Sequence, residues 1–326
     1  MKRLLLLILT SVLLSLPAIA AAEAPPFPLK KVLFFSKSSG YEHAAIKTQD
    51  GPEFGYAFRV LQELGAKHNI AFTFSKDGSL FSPEYLAQFD ALFFYTTGDL
   101  TLAKNNPTLG DGQPGMTPAG KQALLNAVAE GKGFVGTHSA ADTFHAPGNK
   151  DHGPARNESD GDRTDPYGKM LGGSFIKHDA QQKARQIVAD AKFPGLSAVP
   201  PDFGPQEEWY SLKNFAPNLH VLLVQDTSTM AGPSYQRPPY PATWARLHGK
   251  GRVFYTSMGH RDDIWTNPVF QAVLMGGLNW ALRRVDADVT PNLAEFAPQA
   301  NVLPKYVEPP PKEEKKSVQP PAETKK

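Results

Sequence analysis

The sequence predicts an α/β fold, a mostly parallel sheet covered by helices on both faces, and three observations point to it. Short runs of β-branched and aromatic residues alternate with longer segments of helical periodicity. Several runs are apolar at consecutive positions, as in V-L-F-F at 32–35 and A-L-F-F-Y at 91–95, which suits strands buried on both sides. His43, His138 and His260 each follow such a run by no more than a few residues. In an open parallel sheet the ligand crevice lies beyond the carboxyl ends of the strands, so residues far apart in sequence can meet there.

The elements follow in order. Residues 32–36 form a first strand, and residues 53–65 space their apolar positions as a helix ending at Gly65. Strands follow at 70–75 and 89–96. Thr117 and Pro118 open a helix that runs through Glu130 and stops at Gly131, feeding the strand that ends in His138. Later strands are expected at 185–189, 220–225, 242–247 and 252–257, and a closing helix at 268–282. Without an internal repeat or interior linker, residues 28–284 read as one domain. Two polar stretches, 105–115 and 145–165, interrupt the alternation; loops of that length are functional or mobile, so each is a candidate lid.

Both ends stand apart from this domain. Lys2 and Arg3, an apolar run through Leu16 and the small residues of Pro17-Ala-Ile-Ala20 read as a secretory signal peptide over residues 1–22, cleaved after Ala20 or Ala22. The protein is therefore expected to be exported, to the periplasm or the medium. Residues 285–326 read as a C-terminal extension, disordered from about residue 305, where Pro, Lys and Glu dominate. No cysteine occurs in the 326 residues, so neither a disulfide nor a lipoprotein anchor is available. The net charge of +2 comes from the two ends, which leaves a slightly acidic body with no basic footprint for nucleic acid. No stable membrane insertion is expected, and nothing in the sequence specifies an oligomeric state.

The candidate chemistry rests on histidines and one carboxylate. His138 sits at a strand-to-helix turn, where backbone N–H groups can hold a developing oxyanion; a histidine that merely bonds the neighbouring loop is the alternative. His260 follows a strand in the same way. Glu208 lies in Q-E-E-W-Y at 206–210, a carboxylate pair beside aromatics, and could serve as proton donor, metal ligand or orienter of an imidazole, or simply lie on a solvated turn. His43 and His178 complete the constellation. Neutral imidazoles with a carboxylate suit a divalent, zinc-like metal with an open position that polarises a carbonyl or activates water. The candidate ligands are His43, His138, His178 and His260, although no short two-histidine motif is present. His145 and His152 lie in a polar loop and read as solvent-exposed. No dinucleotide fingerprint is read along the chain, so no dinucleotide is expected.

Four ordered motifs carry a family resemblance: G-K-G-F-V-G-T-H-S-A at 131–140, Y-G-K-M-L-G-G-S-F-I-K-H at 167–178, E-E-W-Y at 207–210, and G-K-G-R-V-F-Y-T-S-M-G-H at 249–260 with W-T-N-P-V-F after it. Over about residues 30–284 the chain resembles the ThuA-like proteins of trehalose utilisation. The resemblance implies a flavodoxin-like sheet of the class I glutamine amidotransferase-like kind. Amidotransferases carry a cysteine at the turn after a central strand; here that turn reads G-T-H-S-A at 136–140, so thioester chemistry is ruled out. Ser139 lacks the flanking glycines of a nucleophile elbow.

The resemblance also implies a small carbohydrate ligand. Its binding set is expected to comprise His43, Thr97, His178, Trp209 and Trp265, the two tryptophans offering their faces to a pyranose. With His138, Glu208 and His260 as catalytic residues, the expected activity is proton transfer or hydrolysis on a sugar or keto-glycoside. The alternatives are a non-catalytic carbohydrate-binding protein and a metal-dependent hydrolase of esters or amides.

Overall fold

The computed structural model describes residues 27–48, 55–104, 108–148 and 153–308. The signal-peptide region, His152 and the tail from residue 309 lie outside the described residues.

The strands are β1 (Lys30–Phe35), β2 (Ile70–Ser75), β3 (Ala91–Phe94), β4 (Gly133–Thr137), β5 (Ser174–Lys177), β6 (Gln182–Lys183), β7 (Gln186–Val188), β8 (Gln206–Glu207), β9 (Ser211–Lys213), β10 (His220–Gln225), β11 (Tyr240–His248) and β12 (Gly251–Thr256). Eight of them form one sheet in the order β2-β1-β3-β4-β12-β11-β10-β7. From β2 to β12 every pairing is parallel, and from β12 outward through β11 and β10 to β7 every pairing is antiparallel. The α/β sheet with a parallel centre is thus as the sequence predicts, and an antiparallel wing extends it.

The apolar runs explain the layering. Val32 and Phe34 point to one face of β1 and Leu33 and Phe35 to the other, and all four are buried. On the first face pack α1 (Tyr56–His68) and α6 (Pro268–Ala281), with the short α5 (Asp262–Trp265) beside them. On the second pack α2 (Pro83–Leu86), α3 (Pro118–Ala129) and α4 (Pro166–Leu171). Thr117 Oγ1 accepts the Gly120 N–H at 2.9 Å and Pro118 occupies the first turn, so α3 begins where its capping residues dictate. The first helix corrects an expectation. It runs past Gly65 and ends at Asn69, whose left-handed backbone (φ 52°) closes it. Gly65 serves packing instead, because a Cβ there would lie 2.5 Å from the Ile70 carbonyl oxygen.

The packed body continues beyond the closing helix. Asn292, just before α7 (Leu293–Phe296), pairs with both backbone groups of Val221 on β10, and Ala297 and Ala300 are buried in the core. Arg237 donates to the Ala300 carbonyl, and Asn301 pairs with the backbone of Phe215. The strap from 285 to 304 therefore covers the antiparallel wing.

Candidate active site

Parallel register sets the site. Thr137 pairs with Thr256, so β4 and β12 end side by side and deliver His138 and the Ser257–His260 turn to the same edge. The β1 loop brings His43, fixed to the neighbouring β3 loop by the Ser38–Thr97 bridge. Two small antiparallel ribbons, β5–β9 and β6–β8, present His178, Gln181, Glu208 and Tyr210 to it.

Three imidazole nitrogens converge on one oxygen. Glu208 Oε2 lies 3.0 Å from His260 Nδ1, 3.4 Å from His138 Nε2 and 3.9 Å from His43 Nε2, and His260 Nδ1 is 3.3 Å from His138 Nε2. One donor atom from each of the four residues falls within 4.8 Å of all the others. Zinc–nitrogen bonds of 2.0–2.1 Å give ligand separations of about 3.4 Å in a tetrahedron, so the donor set fits a zinc-like ion. His178 stands apart from this group. Its Nδ1 faces the other oxygen, Glu208 Oε1, at 3.4 Å, and its exposed ring runs nearly parallel to that of Tyr210, with centroids 5.9 Å apart. Glu208 thus takes the place among the clustered donors that the sequence reading gave to His178.

Backbone partners fix the rings. His138 Nδ1–H donates to the Ser257 carbonyl at 3.0 Å, which leaves the Nε2 lone pair facing the cluster, the orientation a metal ligand needs. His138 holds this pose from a left-handed backbone (φ 44°), a conformation that is costly for a non-glycine residue and collects at functional turns. Without a metal the His260 proton lies on the inner nitrogen, the atom that would have to release it to hold an ion. The Arg261 guanidinium donates to Gln181 Oε1 at 2.9 Å, which turns the amide N–H toward His260 Nε2 at 3.0 Å, and His260 Nδ1–H then donates to Glu208. Tyr210 Oη lies 3.4 Å from His43 Nε2.

Glu207 holds the turn that carries His260. Its Oε2 accepts the N–H groups of Gly259 (2.9 Å) and His260 (3.2 Å), while Oε1 accepts the N–H of Glu208 (2.9 Å). Tyr95 Oη and Trp265 Nε1 both donate to the Gly259 carbonyl, and Thr137 Oγ1 donates to that of Met258. Gly259 is required there, since its φ is +121° and a Cβ would meet Thr137 Oγ1 at 2.8 Å. Sequence inspection shows two adjacent acids; only the β6–β8 pairing reveals that the first is a buried brace and the second faces the site.

Electrostatics divide the histidines. Burial drives His43 well below its ordinary pKa, helped by the charge of neighbouring imidazoles, and burial likewise lowers His138 despite the nearby Glu208 carboxylate. His260 is raised: burial works against its proton, but the hydrogen bond and charge of Glu208 prevail. Burial alone would raise Glu208, yet the close imidazoles of His138 and His178 and the hydrogen bond from His260 hold it below the usual carboxylate range. Burial pushes Glu207 up to about 7 against its three N–H donors.

The sign of the resulting pH dependence follows. In the unfolded chain His43 and His138 take up protons near pH 6.5, which their buried folded forms resist, so they make the fold less stable as pH falls through that value. With chelator present, the thermal midpoint is expected to drop between about pH 7 and pH 5, and His43→Phe should flatten the drop. An unchanged slope in that variant would show that His43 is not held neutral by burial.

Several residues expected to meet a ligand are enclosed by the fold instead. Trp209 and Trp265 are fully buried, and their indole N–H groups are taken by the Gln182 and Gly259 carbonyls, so neither offers a face to a sugar. Thr97 is also buried, with its hydroxyl donated to the Tyr41 carbonyl at 2.8 Å; it braces the loop leading to His43. His145 is not a free solvent-facing side chain but bonds Asp142 at 2.6 Å and accepts from Arg156. Ser139 Oγ has no hydrogen-bond partner among the described residues, so no base stands ready to take its proton. The chain does contain a G-x-G-x-x-G string at 110–115, which corrects the expectation of none. It lies well beyond the end of β3, and Gly110 and Gly115 pack against the backbone of residues 38–39 and 101–102 rather than opening a helix at a strand end. No described helix is long and apolar enough to cross a membrane.

The four motifs lie in this scaffold, and the model of a family described as ThuA, trehalose utilisation, matches residues 31–281. The chain belongs to the ThuA family. Solved structures similar to this ThuA domain include a ThuA-like protein from Bacteroides uniformis ATCC 8492, 20% identical with a TM-score of 0.53, covering 82% of this chain and 95% of that one. Another is a ThuA-like protein from Parabacteroides merdae ATCC 43184, 15% identical with a TM-score of 0.51, covering 86% and 98%. At these identities the likeness concerns the ThuA fold alone. No curated protein matches the chain. The family match stops at the end of α6, ahead of the strap that packs on the antiparallel wing.

Proposed function

We propose that this ThuA-family protein is an exported enzyme acting on a sugar or keto-glycoside, with its reaction centre at His43, His138, Glu208 and His260. The observation that carries the reading is the convergence of three imidazole nitrogens on Glu208 Oε2 at separations suited to a divalent metal. A metal bound there would polarise a substrate carbonyl or activate water. The chain's own part is to fix His138 through the Ser257 carbonyl, to hold His260 through the Glu207-braced turn, and to keep Glu208 ionised among imidazoles. The family description, trehalose utilisation, supports the substrate class.

A second reading draws on the His260 tautomer. With its proton on Nδ1 and its pKa raised, beside a His138 whose pKa is lowered, the pair forms a ready acid and base 3.3 Å apart. A proton next to a keto group would pass to His138 while His260 donates to the carbonyl oxygen, giving an enediol. In this reading no metal is needed.

Elemental analysis of tag-free protein, alongside His138→Ala and His260→Ala, separates the two. Near-stoichiometric metal that falls in both variants supports the metal centre. Metal-free protein that turns over a keto-glycoside, with turnover lost in both variants, supports the histidine pair. Absence of both metal and turnover would remove the enzymatic reading in favour of a carbohydrate-binding protein.

A further inference from the structure

We infer that Tyr41 is the platform on which a pyranose ring of the substrate packs, with His178 as a hydroxyl partner on another flank of the cluster; this rests on the sugar reading above. Tyr41 is 58% exposed and is the only aromatic residue among the large exposed apolar side chains of the described residues. Tyr95 and Tyr210, whose rings also pack against the clustered histidines, are buried, as are Trp209 and Trp265, so none has an open face. The Tyr41 ring stands at the cluster itself, 5.1 Å from the His43 ring and nearly perpendicular to it.

The exposure does not come from a loose loop. Thr97 Oγ1 donates to the Tyr41 carbonyl at 2.8 Å, and the Thr97 carbonyl accepts the N–H groups of Ser39 and Gly40 at 2.9 and 3.2 Å. One residue further on, Glu42 pairs with buried Lys76 at 3.1 Å, and Lys76 also donates to the Ser36 carbonyl. Backbone and neighbours are thus fixed while the ring faces solvent. A rigid exposed ring loses little side-chain entropy when a ligand covers it, which is what makes an aromatic a good contact surface. A pyranose offers a patch of C–H groups for such a face and hydroxyls for polar partners. On another flank of the cluster, His178 provides an exposed imidazole nearly parallel to the Tyr210 ring and turned toward Glu208 Oε1. A ring seated on Tyr41 would therefore border the carboxylate and imidazoles without entering the core.

The test uses full-length protein and its Tyr41→Ala, Tyr41→Phe and His178→Ala variants, with trehalose and a methyl 3-keto-glucopyranoside as probes in calorimetric and saturation-transfer NMR titrations. Tyr41→Ala is expected to weaken binding about tenfold, Tyr41→Phe to keep it within about threefold, and His178→Ala to weaken it to an intermediate degree. Thermal midpoint and metal content should be unchanged in the two Tyr41 variants, which separates lost stacking from a damaged centre. Wild-type affinity in Tyr41→Ala overturns the proposal, and so does the absence of pyranoside binding by the wild type. The metal reading is decided independently by the elemental analysis.

Discussion

Glu208→Gln is expected to remove metal retention and turnover together while leaving the fold in place. Glu208 Oε2 is the atom on which all three imidazoles converge, and the carboxylate supplies the hydrogen bond and negative charge that raise the His260 pKa against burial. An amide of the same shape retains an oxygen but no charge, and its NH2 group cannot face the His138 Nε2 lone pair and accept from His260 at once. Loss of a liganding carboxylate should weaken metal binding more than the roughly 10–100-fold typical of losing an outer partner. Dialysis followed by elemental analysis gives the first readout. The second is the His260 imidazole titration in chelated protein, which should move down from its raised position toward the ordinary value, because burial then acts without the carboxylate to oppose it. A variant that keeps both metal and the raised His260 titration would show that Glu208 is not the centre of the cluster.

The second large effect is expected at Glu207, which touches no substrate-facing surface. Both of its oxygens accept backbone N–H groups, two from the Gly259–His260 turn and one from Glu208. Glutamine would set an NH2 against at least one of these donors, at a cost of about 1–3 kcal/mol for a buried group left unpaired. The thermal midpoint should fall, and turnover should fall further than stability does, because the turn positions His260. Gly259→Ala reaches the same turn from the other side by driving a Cβ into Thr137 Oγ1. It should reproduce the loss of turnover with Glu207 intact. If both variants unfold at lower temperature yet retain full turnover below it, the brace serves the fold and not the site.

The parts legible in the sequence were those whose physics is local or strongly patterned. Consecutive apolar residues mark the central strands because both faces of the sheet are covered, and His138 and His260 stand out because the first comes directly after such a strand and the second lies in the turn that follows one. Strand direction was not legible: the runs that became β10, β11 and β12 look alike whether their neighbours run parallel or antiparallel. Gly65 looked like a helix end, since glycine serves both as a stop and as a close-packing residue, and here the packing role applies. Trp209 and Trp265 misled for a similar reason. An indole suits a sugar face or a core equally, and only the carbonyl waiting for its N–H settles which. Glu207, Gln181 and Tyr41 carry no pattern of their own and acquire meaning only once the ribbons and the β1 loop are in place. Adjacent acids with a buried aromatic after them, as in 207–210, were the one available hint of the brace.

The four clustered donors come from four separate segments spread between residues 43 and 260, and no two of them share a helix or a strand. The unfolded chain therefore has no local chelate, and the donors meet only after the last parallel strand has docked beside β4. Any ion captured there arrives late and finds a finished scaffold, unlike the ions that nucleate small metal-dependent domains. Occupancy at this centre would accordingly report that long-range assembly is complete, and a chain stalled before β12 docks would be blind to the ion however much of it is supplied.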